Sequence, residues 1–315
     1  MPIKQLLISF MILILTGCSI APAGQATATL PVSTQAVPTS IAITDGLGNS
    51  ILMEKPARKI VSLSPSTTEI LFAIGAGSQL VGREDNSTYP PEAEEVASVG
   101  SLFGELPTET ILALEPDLVV AGEIINAEQV QALQALGLTV YWQSNPTDFD
   151  GLYENILELG QLSGHGDEAL SLINDLESRV SAVSEKVAGA QSKPPVFYEL
   201  DATDPVNPWT VGAGTFIDLI ISMAGGTNVA SDLEPYAQIS SEELIARDPA
   251  IILLSDAMFG VTPESVAARP GWDVIQAVKD NAIHGIDPNI MSVPGPRLVE
   301  GLEETARLIH PELFE

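Results

Sequence analysis

Two distant stretches of this chain repeat one pattern, and that pattern leaves few folds open. Residues 109–120 (Glu-Thr-Ile-Leu-Ala-Leu-Glu-Pro-Asp-Leu-Val-Val) and 242–253 (Glu-Glu-Leu-Ile-Ala-Arg-Asp-Pro-Ala-Ile-Ile-Leu) each open on a Glu, pass through a short helix and a carboxylate-Pro stop, and end in an apolar strand. Proline has no amide hydrogen and restricts the residue before it, so each helix must stop there. A further strand and helix lie upstream in each case: 59–63 with a helix over 68–74 closed by Gly75, and 196–200 with a helix over 216–225. Leu80-Val81-Gly82 adds a short strand to the first set. Apolar strands alternating with helices predict parallel sheets covered on both faces. The repeat therefore predicts two similar α/β lobes, residues 41–150 and 190–315.

The stretch between them, 151–189, is helical by its spacing. Leu152, Ile156, Leu159 and Leu162 form one series, and Leu170, Ile173, Leu176, Val180, Val183 and Val187 a second. Gly164-His165-Gly166 breaks the run, and a helix from Asp167 to Ala188 would reach about 33 Å, enough to join two lobes as a stiff strut. At the front of the body, 41–44 and 51–53 flank Asp45-Gly46-Leu47-Gly48-Asn49, a hairpin signal.

The N-terminus reads as export machinery. Lys4 precedes an apolar run too short to span a bilayer, and Leu15-Thr16-Gly17-Cys18 follows. Residues 1–17 are expected to be a lipoprotein signal peptide, with Cys18, the sole cysteine, as the lipidated residue. Residues 18–40, rich in Ala, Pro, Thr and Ser and free of charge, are expected to be a flexible tether.

Charge excludes one class of partner. Thirteen basic residues against 42 acidic ones give a formal net charge of −29, which repels nucleic acid. The motifs of catalysis do not occur: no P-loop, nucleophile elbow, HExxH or dinucleotide fingerprint. His165, His284 and His310 stand apart from one another, so neither a metal site nor a resident cofactor is expected. What stands out instead is a set of aromatics in Pro/Gly-rich loops: Tyr89, Phe103, Trp209 and Tyr236. Loop aromatics beside a cleft supply contact area for a large, flat ligand.

Ile60-Val61-Ser62-Leu63-Ser64-Pro65-Ser66-Thr67-Thr68-Glu69 resembles the first strand and loop of the cobalamin and ferric-siderophore binding proteins of ABC importers. Tyr89-Pro90-Pro91, residues 113–119, Ala224-Gly225-Gly226 and Gly295-Pro296-Arg297 extend the resemblance over most of the body. It implies two Rossmann-like lobes joined by one long linker helix, little hinge motion, a ligand held between the lobes, and a monomer that serves a permease dimer and its ATPase. The motifs are most similar to the cobalamin-binding members, with cobalamin as transported ligand and not as cofactor. By that resemblance Ser66, Tyr89, Phe103, Trp209, Tyr236 and Arg297 fall at the ligand, and Glu109 and Glu242 fall where one carboxylate per lobe docks on the permease. From the residues alone, a Glu in a first helical turn also simply complements the helix dipole. Two departures keep ferric siderophores and haem open as ligands: no tryptophan stands near Gly122, and Val293 precedes Pro294 where an arginine is expected. Arg83 and Arg297 would serve an anionic siderophore complex; Tyr89 or Tyr236 would serve haem iron. A lipid-anchored enzyme or a sensor domain is the alternative of a different class; the missing catalytic motifs weigh against the first, the docking pair against the second.

Overall fold

The computed structural model describes residues 40–314. The signal peptide, Cys18 and nearly all of the tether lie outside the described residues. β1 (Ile41–Thr44) and β2 (Ser50–Met53) pair antiparallel, and the Asp45 carboxylate accepts from the Leu47 and Asn49 amides to close their turn. The first lobe follows: β3 (Ile60–Leu63), α1 (Pro65–Ala73), β4 (Leu80–Glu84), β5 (Ser98–Gly100), α2 (Thr108–Ala113), β6 (Leu118–Ala121), α3 (Ala127–Ala135) and β7 (Val140–Trp142). Its five strands run parallel in the order β5-β4-β3-β6-β7. β3 and β6 are buried along their whole length, as continuous apolar runs at a sheet centre must be.

Two helices then cross to the second lobe, α4 (Phe149–Ser163) and α5 (Gly166–Val187), with Gly164 turning between them at φ 81°. The second lobe comprises β8 (Pro195–Glu199), β9 (Trp209–Val211), α6 (Phe216–Met223), β10 (Thr227–Asn228), β11 (Tyr236–Gln238), α7 (Ser241–Arg247), β12 (Ile251–Leu254), α8 (Pro263–Ala267), α9 (Gln276–Lys279), β13 (Ile283–Gly285), α10 (Pro288–Ser292) and α11 (Leu298–Ile309). Its parallel sheet has the order β10-β8-β12-β13, with β9 and β11 forming a separate antiparallel ribbon. The fold is thus two α/β lobes joined by long helices.

α5 starts just past the point where Gln79 of the first lobe donates to the carbonyl of Ser163, the last residue of α4, at 3.0 Å. It ends beside the second, where a Cβ on Gly225 would come within 2.6 Å of Val187. One apolar core runs unbroken from Ile70 and Leu71 through Ile156, Leu176 and Val183 to Ile220 and Leu302, so the helices weld the lobes together. Each sheet covers its other face with a core of its own. Among the described residues no helix is long and apolar enough to cross a membrane.

The aromatic loops differ from expectation in one respect. Trp209 and Tyr236 lie on β9 and β11, not in irregular loop. Each strand is only three residues long, too short for alternation to show in the sequence. The ribbon depends on Gly212, whose amide donates to the Pro235 carbonyl at 3.0 Å; a Cβ there would run into the Leu233 and Glu234 carbonyl oxygens.

Candidate ligand cleft and docking face

In a parallel sheet, ligands gather at the carboxyl ends of the strands, where the loops open onto helix N-termini. In the first lobe those ends carry three loops. Ser64 and Ser66 follow β3, their hydroxyls 2.8 Å apart, and the Thr68 hydroxyl donates to the Ser62 oxygen at 2.8 Å beneath them. Glu123 follows β6 and accepts from the Asn145 amide (2.9 Å) and its side-chain nitrogen (3.0 Å), which clamps the loop after β7. Gly122 lets the first two loops touch: a Cβ there would stand 3.0 Å from Ser64.

The second lobe faces these loops. Two adjoining cavities of about 240 and 230 Å³ lie between the lobes, and Glu123, Asn145, Ser292 and Pro294 border both. Tyr236 and Phe216 line the first and Ser66 the second. Trp209 sits diagonally across the ribbon from Tyr236 and borders neither cavity. Larger hollows of about 410 and 450 Å³ lie along α5, and none of the expected site residues borders them.

Tyr89 and Arg297 meet elsewhere, in a smaller hollow of about 190 Å³. Arg297 stacks its guanidinium 3.7 Å from the Tyr89 ring centre and donates from Nε to Glu69 Oε2 at 3.0 Å, with a second, shorter bond from Nη2 to Oε1. Glu69 and Tyr89 belong to the first lobe and Arg297 to the second, so this is a bidentate clip across the seam. Burial pushes the Glu69 carboxyl up and the guanidinium pulls it back; burial works against the charge on Arg297, yet Glu69 leaves its pKa raised. Gly295 makes room, since a Cβ there would stand 3.0 Å from Glu69 Oε2. A second tie, Arg179 to Glu303 through two 2.9 Å bonds, fastens α5 to α11.

Phe103 is 77% exposed and borders none of these cavities. Glu109 and Glu242 are exposed in the first turns of α2 and α7, and each of those helices ends in a carboxylate-Pro turn that leads into a central strand. Phe103 lies as far ahead of Glu109 as Tyr236 lies ahead of Glu242, an equivalence that follows the repeat. Glu243 is engaged by Arg247, whereas neither Glu109 nor Glu242 has an ion-pair partner among the described residues. Arg83 is committed to structure, bonding the carbonyls of Ala93, Glu84 and Asp85. Among the described residues no group of three His, Cys, Asp or Glu is placed to hold a metal ion.

The reading from sequence missed Glu69, Phe216 and the Glu123–Asn145 clamp. Glu69 had a signal: the one charged residue of its helix, followed at once by an apolar run, needs a partner, and Arg297 is one of only 13 basic residues.

Two parallel α/β lobes welded by long helices, with a cavity between them at the strand ends, define a receptor for a small solute. The chain belongs to the periplasmic binding-protein family, whose family model matches residues 60–290. It is an extracytoplasmic solute-binding protein of the ABC importers, not an enzyme, and works with a permease and its ATPase. It is 32% identical over 306 residues to the uncharacterized ABC transporter substrate-binding lipoprotein YvrC of Bacillus subtilis, covering 96% of this chain and 94% of that one. It is 32% identical over 243 residues to the vitamin B12-binding protein of Yersinia pestis, covering 76% and 85%. Among solved structures it resembles the periplasmic heme-binding protein RhuT of Roseiflexus at a TM-score of 0.72 and 26% identity, covering 82% and 99%.

Proposed function

We propose that this receptor captures cobalamin or a related corrinoid between its lobes and hands it to the permease. One observation carries the choice of ligand. Neither between-lobe cavity is bordered by a Lys, Arg or His, while Glu123 borders both. A ferric siderophore complex and the propionates of haem bring negative charge and would meet a carboxylate with no basic counterpart. Arg297 is already neutralised by Glu69. A corrinoid needs apolar and hydrogen-bonding surface instead, which Tyr236, Phe216 and the Ser66 hydroxyl offer at the cavities, with Trp209 exposed on the strand paired with that of Tyr236. The vitamin B12-binding relative supports this reading. Haem is the second reading: the likeness to a heme-binding structure favours it, and Tyr236, 63% exposed, could approach the iron.

Calorimetry on protein lacking the residues up to Cys18 tests this. We expect one-to-one, saturable heat with cyanocobalamin and none with haemin or a ferric hydroxamate. Saturable heat with either of the latter, and none with cyanocobalamin or cobinamide, overturns it.

Glu109 and Glu242 are proposed to dock on two equivalent basic sites of the permease dimer, and Cys18 to carry the lipid. Cys18→Ala should release the protein into the soluble fraction with ligand affinity unchanged; a variant that stays on membranes through a salt wash would make the apolar leader itself the anchor.

A further inference from the structure

The turn after β12 carries two exposed large apolar side chains, Met258 at 60% and Phe259 at 80%, the latter the most exposed of the second lobe. They stand on a one-turn helix, Ser255–Phe259, that the fold holds firmly. Its first two residues, Ser255 and Asp256, are buried, and Asp256 Oδ2 accepts from the Ala202 amide at 3.0 Å. Ala257 packs where a Cβ on Gly285 would reach 2.9 Å, and Gly260 ends the turn at φ 95°. A rigid turn that displays two large apolar residues to water is a surface shaped for contact.

The loop tied to Asp256 leads directly to Glu242. Starting at Ala202, it presents Val206, 62% exposed, and its far side is bonded to the start of α7: the Ser241 amide donates to the Val206 carbonyl at 2.8 Å and the Ser241 hydroxyl to the Pro205 carbonyl at 3.1 Å. Hydrogen bonds thus tie the turn that carries Met258 and Phe259, the loop that carries Val206 and the start of α7, beside Glu242, to one another in sequence. Neither Met258 nor Phe259 borders the between-lobe cavities, which argues against a ligand contact. The net charge of −29 opposes both an anionic lipid surface and a second copy of the chain. A protein surface with an apolar hollow beside a basic site fits all of it.

We propose that Met258 and Phe259, with Val206, form the apolar half of the second lobe's docking surface and bind the same permease subunit that receives Glu242. The inference rests on the docking role assigned to Glu242, and the test separates the two. A benzophenone amino acid is placed at position 242 or at position 259 of the full-length chain, and whole cells are irradiated. Both positions are expected to yield an adduct with the same membrane polypeptide. An adduct from 242 but none from 259, or a 259 adduct with lipid or with a second copy, overturns the apolar half alone. An adduct from neither removes the docking role of Glu242 as well. As a second readout, Met258→Ser with Phe259→Ser should cut cyanocobalamin uptake about tenfold or more, as loss of a buried aromatic anchor does. Its cyanocobalamin affinity in solution should stay within about twofold. A matching loss of solution affinity would place the turn in the ligand site and overturn the proposal.

Discussion

The Glu69 and Arg297 side chains are 3% and 13% exposed, and they belong to different lobes. Removing one partner of such a pair leaves the other charge buried and unmatched, which costs about 3–5 kcal/mol. Glu69→Ala should lower the unfolding free energy by that order in denaturant titration, whereas Glu69→Met with Arg297→Met should recover most of it. If Glu69→Ala is silent, the pair does not bind the lobes together. His284, on β13, titrates in the opposite sense to a stabilising ion pair. Burial holds its folded pKa below the usual 6.5, so as pH falls through 6.5 the unfolded chain takes up a proton that the folded chain refuses. Its contribution is therefore a loss of stability below about pH 6.5, complete once the pH passes the folded value. In His284→Asn the slope of unfolding free energy against pH between 7 and 5 should be shallower than in the wild type; equal slopes would show that His284 protonates freely in the fold. Residues were read unevenly from sequence. The loop aromatics could be picked out because aromatics make up only 5% of the chain. The Glu69–Arg297 pairing could not, because it joins residues 228 apart and local spacing carries no trace of it.

The long helices and central strands were legible because their signals are long. The strut expected at 167–188 is found at Gly166–Val187, and the strand after each carboxylate-Pro stop is where the repeat put it. The β9–β11 ribbon was not legible: three residues per strand cannot establish a period, and the pairing is set by Gly212 and a distant turn. The ribbon is also where a small change should show most. Gly212→Ala pushes a methyl into two backbone carbonyls that cannot swing aside, so the Tyr236 strand must shift. A stability loss of about 1–3 kcal/mol is expected, as for other overpacked sites. Cyanocobalamin affinity should fall about tenfold or more, because Trp209 and Tyr236 move together. Unaltered affinity in a folded variant would mean the ribbon does not hold the ligand.

Across the whole molecule, the proposed capture and docking sites occupy different parts of one edge. The two adjoining cavities lie between the lobes, with Ser66 bordering one and Tyr236 the other. Glu109 and Glu242 project from the starts of α2 and α7, one per lobe, and no described basic residue neutralises either. The continuous core and the two arginine ties resist wide hinge opening, so the lobes should present both carboxylates at a nearly fixed separation whether or not ligand is bound. Interfacial charge pairs set register and encounter rate, and truncating one partner of a buried pair costs about 2–5 kcal/mol. The most direct measurement of this division is made on Glu109→Ala with Glu242→Ala: cyanocobalamin affinity of the purified protein beside uptake of labelled cyanocobalamin by whole cells. Affinity should match the wild type while uptake collapses, with each single change giving a smaller loss. Normal uptake by the double variant, or loss of its ligand affinity, would contradict the account.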